Sequence, residues 1–176
     1  MNPSSNLFLI GPMGAGKTTL GRKLSEALQM PFVDLDHEIE RSTGAAVSLI
    51  FDLEGEPGFR ERESKLLDEQ SQRQGIVLAT GGGAVLRAEN RLWIKSRGFV
   101  VFLKTNVAVQ WERLKRDRSR PLLKTADPLA TLRRMAEERG PIYQETADMV
   151  YESELLSGGL SAKLLLRDLS AKWQRP

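Results

Sequence analysis

Five short apolar runs punctuate the chain: Leu7–Ile10, Phe32–Asp36, Ile76–Thr80, Phe99–Leu103 and Met149–Tyr151. Their length and their β-branched and aromatic content predict buried strands, the second ending in acid. Between them the apolar positions fall at helical spacings. Leu20, Leu24, Ala27 and Leu28 follow the first run, and Phe59, Leu66 and Leu67 lie in a charged, mostly helical stretch over 37–74. Val107, Trp111 and Leu114 follow the fourth run, and Ala162, Leu165, Leu166, Leu169 and Trp173 form a last amphipathic helix. A short helix is expected over Leu86–Ser96. Breakers sit where elements should end: Pro31, Gly55-Glu56-Pro57-Gly58 as a turn, Gly81-Gly82-Gly83, Gly98, and Ser157-Gly158-Gly159. Asp127-Pro128 reads as a capped helix start, and that helix should end at Arg139, where Gly140-Pro141 kinks or breaks it. Residues 116–126 lack periodicity and read as a loop. Strands alternating with helices predict one α/β domain spanning 1–176, a parallel sheet covered on both faces. In such sheets ligands bind at the carboxyl ends of the strands. Three strand ends carry chemistry: Gly11 to Thr18, Asp34 and Asp36, and Gly81 to Gly83.

The first of these reads Gly-Pro-Met-Gly-Ala-Gly-Lys-Thr and fits G-x-x-x-x-G-K-[ST] between a strand and a helix. Such a turn points successive N–H groups at one centre, and the helix N-terminus adds partial positive charge, so it holds a polyphosphate. Gly14, Ala15, Gly16, Lys17, Thr18 and Thr19 are the expected ATP-binding residues. Lys17 reaches the β- and γ-phosphates, and the Thr18 hydroxyl ligates Mg²⁺. Asp34 and Asp36 lie two apart in an extended stretch, so both side chains project to one side. One carboxylate near Thr18 suits the ion through a water, and the other suits an acceptor hydroxyl as orienting group or base. The alternative for Asp36 is a helix cap. Triple glycine after a buried strand strips the crevice wall of side chains, so backbone touches a small ligand directly.

Arg60 and Arg139, if both point into the crevice, imply an anionic acceptor, because a guanidinium fork matches a carboxylate or phosphate. Glu63, three residues on, could hold Arg60 in place. The basic segment Arg113, Lys115, Arg116, Arg118, Arg120 is short and lacks interleaved aromatics. It reads as a lid over 115–126 rather than an RNA-contacting patch, with Arg120 closing on the transferring phosphate. His37, the one histidine, has no nucleophile near it and reads as a surface residue.

Bulk composition narrows the classes further. The 176 residues carry a formal charge of only +3, with acids interleaved among the bases, which argues against a nucleic-acid partner. There is no cysteine, so disulfide, thiol and cysteine–zinc chemistry are excluded. No segment approaches 18 apolar residues, so no membrane partner is expected, and a cytoplasmic protein follows. No helix shows an apolar stripe beyond the needs of one core, and a monomer is expected.

With these residues in place, the chain strongly resembles the shikimate kinase family along nearly its whole length. The resemblance rests on residues 11–18, Phe-Val-Asp-Leu-Asp (32–36), Gly-Glu-Pro-Gly-Phe-Arg-Glu-Arg-Glu (55–63), Leu-Ala-Thr-Gly-Gly-Gly (78–83), Arg-Pro-Leu-Leu (120–123) and Arg-Gly-Pro-Ile-Tyr (139–143). It implies a three-layer α/β/α P-loop kinase fold of the nucleoside monophosphate kinase type. That fold has a five-stranded parallel sheet, a helical substrate-binding insertion at about 37–62 and a mobile lid. The implied reaction is transfer from ATP to the 3-hydroxyl of shikimate, with one Mg²⁺ per subunit, on the path to chorismate and the aromatic amino acids. By motif, Asp36 resembles the residue that holds the ring hydroxyls, either as base or only to position the reacting hydroxyl. Arg60 and Arg139 resemble the pair gripping the substrate carboxylate, and Gly82 supplies backbone. Thr18 and Asp34 match the magnesium positions, the latter through water. Lys17, Asp36 and Arg120 form the expected catalytic set, with Arg120 the lid arginine that also meets ATP. Two positions depart from the pattern. Glu152 to Ser157 is acidic and apolar where relatives carry an Asn or a polar-basic segment against adenine. Gly140 stands where Asn is frequent, which should loosen the end of that helix.

Other functions fit less well. A gluconate kinase shares an acidic polyol acceptor but not the Gly-Phe-Arg and triple-glycine motifs. A nucleoside monophosphate kinase has no need of an acid like Asp36. A GTP-binding switch requires an Asn-Lys-x-Asp stretch, which is absent. A basic RNA-binding module is the remaining non-enzyme reading.

Overall fold

The computed structural model describes residues 4–152 and 158–174. Its elements are β1 (Leu7–Ile10), α1 (Lys17–Leu28), β2 (Phe32–Asp34), α2 (Leu35–Thr43), α3 (Val47–Ser71) and β3 (Val77–Ala79). There follow α4 (Ala88–Arg97), β4 (Phe99–Lys104), α5 (Val107–Leu114), α6 (Pro128–Thr146), β5 (Met149–Glu152) and α7 (Gly158–Lys172). The strands form one parallel sheet in the order β2-β3-β1-β4-β5.

β1 is buried at every position because it is central, and its alternate side chains feed two cores. Leu7 and Leu9 join Val101, Leu103, Leu20, Leu24, Leu165 and Leu169 beneath α1 and α7. Phe8 and Ile10 join Leu67, Leu78, Ile94, Val100, Phe102 and Tyr143 beneath α3, α4 and α6. This is the three-layer α/β/α arrangement. A third, small core of Ile39, Ile50 and Phe59 knits α2 to α3 and gives the segment after β2 its own support. Among the described residues, no helix is long and apolar enough to cross a membrane.

Five stretches differ from the expectation drawn from sequence. β2 stops at Asp34, and Leu35-Asp36 already belong to α2, because the Asp34 carboxylate caps that helix by accepting from the His37 N–H. Asp36 is therefore in a first helical turn, not in a strand, and it is Asp34 that does the capping. The break at 55–58 is confined to Gly55 (φ 69°, ψ −179°), a conformation open to glycine, and the chain is helical again by Pro57. The predicted helix at Leu86–Ser96 divides into a 3₁₀ turn at Ala84–Leu86 and α4, and a second 3₁₀ turn, Pro121–Leu123, lies in the 116–126 loop.

The largest departure is α6, which does not end at Gly140-Pro141 but runs on to Thr146. An interior proline forfeits one backbone bond and crowds the preceding turn, at a cost of about 3 kcal/mol. Buried side chains on both sides of it, Thr131, Leu132, Arg139, Tyr143 and Thr146, hold the helix to the protein and offset that cost. The expected turn at Ser157 and most of the Glu152–Ser157 segment lie outside the described residues.

Candidate active site

The carboxyl ends of β1, β3 and β2 place the phosphate loop, the triple glycine and the two aspartates side by side. The loop's shape follows from its glycines: Gly11 (φ 140°), Gly14 (φ 76°) and Gly16 (φ 90°) adopt backbone that L side chains disfavour. A Cβ on Gly11 would lie 2.6 Å from the Leu103 carbonyl oxygen of β4. Gly16 caps α1 without a side-chain acceptor, so the first N–H groups of that helix stay available to an anion.

Lys17 closes back over the loop and donates from Nζ to the carbonyls of Gly11 (2.7 Å) and Pro12 (2.8 Å). Burial pulls its pKa down to about 8, against the pull of Asp36 and Asp34. Two side chains of α5 grip the same loop. Gln110 donates to the Met13 carbonyl (2.9 Å) and Arg113 to that of Gly14 (2.8 Å). Ala15 packs into the core beneath α1, while Thr18 and Thr19 line the cleft outside.

Thr18 and Asp34 meet directly: the hydroxyl donates to Asp34 Oδ2 at 2.5 Å, while Oδ1 caps α2. A hydroxyl beside a carboxylate at a polyphosphate loop is the oxygen donor set a hard divalent cation takes. Among the described residues no three acidic, histidine or cysteine side chains cluster as a metal site.

Asp36 lies in the first turn of α2. Its Oδ1 is buried without a hydrogen-bond partner, and burial followed by the charge of Asp34 raises its pKa. Glu63 faces it from α3, with its side chain fully buried and Oε1 likewise unpartnered. Burial raises the Glu63 pKa and Arg60 opposes the rise. Arg60 donates from Nη1 to Glu63 (2.7 Å) and from Nε and Nη2 to Glu56 (3.2 and 3.0 Å). Burial works against its charge, but the two glutamates more than compensate.

The triple glycine fits among these groups, and its three positions face different neighbours. A Cβ on Gly81 would collide with Glu63 Oε1 and lie 3.0 Å from Asp36 Oδ1. One on Gly83 would overlap the Arg60 guanidinium. Gly82 instead borders the phosphate loop, where a Cβ would come within 3.4 Å of the Met13 nitrogen.

Two cavities result, and they share a wall of Met13, Asp36, Gly81, Gly82 and Arg120. The larger, about 500 Å³, contains Gly14, Gly16, Lys17, Thr18, Thr19 and Asp34. The smaller, about 60 Å³, is bounded by Phe59, Arg60, Glu63, Gly83 and Arg139. Arg139 is buried in mid-helix rather than at a helix end. Arg120 stands at the junction, paired through Nε with Asp117 (3.1 Å) and still 39% exposed. The other bases of that segment do not enter either cavity; Lys115 pairs with Glu112 and Arg113 holds the loop. His37 is exposed at the rim of the larger cavity.

Met13, which the loop pattern leaves free, thus separates the two cavities. Sequence reasoning does not single out Glu56, Gln110 or Tyr143. For Tyr143 a signal exists: it stands one helical turn after Arg139, provided the helix survives Pro141.

The shikimate kinase family model matches residues 13–169. A shikimate kinase of Psychromonas ingrahamii is 49% identical over 166 residues, covering 94% of this chain and 97% of that protein. The solved structure of a shikimate kinase from Acinetobacter baumannii in complex with shikimate superposes with a TM-score of 0.91 at 48% identity. It covers 97% of this chain and 96% of that one. A deoxyadenosine kinase from M. mycoides, 16% identical with a TM-score of 0.61 over 94% of this chain and 99% of that one, shares the fold.

Proposed function

The chain belongs to the shikimate kinase family, and from that premise we propose how its own residues perform the reaction. The activity is transfer of a phosphoryl group from ATP to the 3-hydroxyl of shikimate, a step of aromatic amino acid biosynthesis. The observation that carries the residue assignment is the shared wall. A cation-lined acceptor cavity meets a phosphate-binding cleft across Met13 and Gly82, with Asp36 and Arg120 at the junction.

In this reading Gly14 to Thr19 hold the phosphates of ATP through backbone N–H groups and the Lys17 ammonium. Lys17 exchanges the Gly11 and Pro12 carbonyls for phosphate oxygens. Thr18 directly, and Asp34 through water, hold one Mg²⁺, which when bound neutralises charge on the β- and γ-phosphates. Arg60 and Arg139 take the shikimate carboxylate, and the glycine wall lets the ring approach backbone at Gly82. Asp36, which lines both cavities, receives the ring hydroxyls and accepts the 3-hydroxyl proton. Oriented hydroxyl and phosphate are brought together across one wall, and positioning of this kind supplies much of the rate in phosphoryl transfer. Arg120 leaves Asp117 to meet the transferring phosphate as the lid over 115–126 closes on the insertion at 37–62. A single domain spanning 1–176, acting as a cytoplasmic monomer without nucleic-acid or membrane partners, completes the proposal.

A coupled ADP-release assay offering shikimate, gluconate and AMP in parallel tests the function. Turnover with shikimate, dependent on Mg²⁺, is expected. Turnover with gluconate or AMP and none with shikimate would overturn it.

A further inference from the structure

The glycine wall is tied down by a side chain to which the reaction, as described, gives no part. Tyr143 is 2% exposed, and its hydroxyl donates to the Gly82 carbonyl oxygen. The ring is fixed from behind by Phe102 of β4, with centroids 5.0 Å apart and planes inclined 28°. The phenol stands one turn after Arg139 on the unbroken α6, so both side chains issue from one face of the same helix. Burial pushes its pKa up to about 12, with Arg139 pulling the other way, so it remains an O–H donor.

Gly82 needs such a tie. It lies between two further glycines, neither of which can carry a Cβ to restrict the backbone without meeting Glu63, Asp36 or Arg60. Among the described residues neither its N–H nor that of Gly83 donates to another backbone group. Because the peptide is planar and trans, anchoring the Gly82 carbonyl also sets the direction of the Gly83 N–H on the opposite side.

We propose that Tyr143 is a positioning residue for the acceptor: by holding the Gly82 carbonyl it sets the orientation of the Gly82–Gly83 peptide, whose neighbouring carbonyls are already held by the Ala84 and Leu86 N–H groups. The phenol itself does not touch shikimate. This rests on reading the smaller cavity as the shikimate site. Without the hydroxyl, the half-buried carbonyl loses its donor and the wall relaxes to find another. Acceptor binding must reverse that relaxation, so the loss shows as lost affinity for shikimate and not for ATP.

The test is Tyr143→Phe by steady-state kinetics, beside Phe102→Leu, which loosens the ring but keeps the hydroxyl. For Tyr143→Phe the expected result is a five- to fiftyfold rise in the KM for shikimate, with kcat and the KM for ATP within about twofold. Phe102→Leu should lower Tm but leave the shikimate KM within about threefold. An unchanged shikimate KM in Tyr143→Phe, equal rises for both substrates, or the same rise in Phe102→Leu would overturn the proposal. Should Tyr143→Phe not fold, 3-fluorotyrosine-labelled wild-type enzyme provides a second measurement, since the chain has only two tyrosines. The ¹⁹F resonance of Tyr143, assigned with Tyr151→Phe, should shift when shikimate binds without ATP, and a resonance that stays put refutes the coupling. Wild-type turnover of shikimate checks the underlying function independently.

Discussion

Replacing Arg60 with alanine separates what the acceptor site does from what it costs the fold. The guanidinium is 10% exposed and its partner Glu63 fully buried, so the substitution leaves a carboxylate in the interior without its cation. Breaking a buried pair in this way costs about 3–5 kcal/mol. For a chain of this size that is about 6–20 °C in Tm. Protonation of Glu63 relieves part of the loss. Burial already raises the Glu63 pKa and Arg60 opposes it, so the pKa climbs further in the variant. A carboxyl whose folded pKa lies above its unfolded value binds its proton more tightly when folded. Its contribution to stability is therefore fully present below the unfolded pKa and is lost as pH rises through the folded one. The Tm gap between variant and wild type should narrow in acid and widen toward neutral pH. For binding, three of the five N–H groups of Arg60 serve Glu56 and Glu63, leaving one on each terminal nitrogen for the acceptor. Losing one charge-assisted hydrogen bond, about 1.5–3 kcal/mol, raises the shikimate KM roughly 10- to 150-fold. Arg60 does not border the larger cavity, so the KM for ATP should hold. The assay is ADP release with each substrate varied in turn, beside thermal melts from pH 5 to 8. Equal losses for shikimate and ATP would refute the placement of Arg60 at the acceptor, and a pH-independent Tm gap would refute the account of Glu63.

Three further outcomes follow from the same geometry. Gly83→Ala places a methyl group where the Arg60 guanidinium lies. Because the tip of a long side chain can move aside, it should raise the shikimate KM as Arg60→Ala does while costing less stability, and a wild-type KM would contradict this. Lys17, with its pKa near 8, should take up a proton when ATP binds. Calorimetry at pH 8 in buffers of different ionisation enthalpy should read an uptake of roughly half a proton, fading below pH 7, and release or no exchange would be the contrary result. Arg120→Ala should lower kcat by on the order of 10³ with a far smaller change in either KM, and a change confined to KM would place Arg120 in ground-state binding.

The parts of this protein that local chemistry controls are readable along the chain. The phosphate loop needs its glycines at Gly11, Gly14 and Gly16, and Lys17 and Thr18 at the start of α1, whatever packs around them. The five strands are apolar because the sheet is covered on both faces, and Arg60 with Glu63 sits at a helical spacing that any helix would bring together. Where a local preference competes with contacts made elsewhere, tertiary structure decides. Asp34 rather than Asp36 caps α2, because the chain turns from β2 into the helix at Asp34, whose other oxygen accepts from Thr18 across the cleft. Pro141 marks a break by its own chemistry, yet α6 continues because Arg139 and Tyr143 are buried on either side of it. That continuity carries Tyr143 to Gly82, 61 residues earlier in the chain, and no spacing along the sequence encodes that contact. Which carboxylate oxygens are buried and unpartnered is likewise settled only when α2, α3 and the end of β3 converge, since the desolvation that tunes Asp36 and Glu63 comes from neighbours distant in sequence.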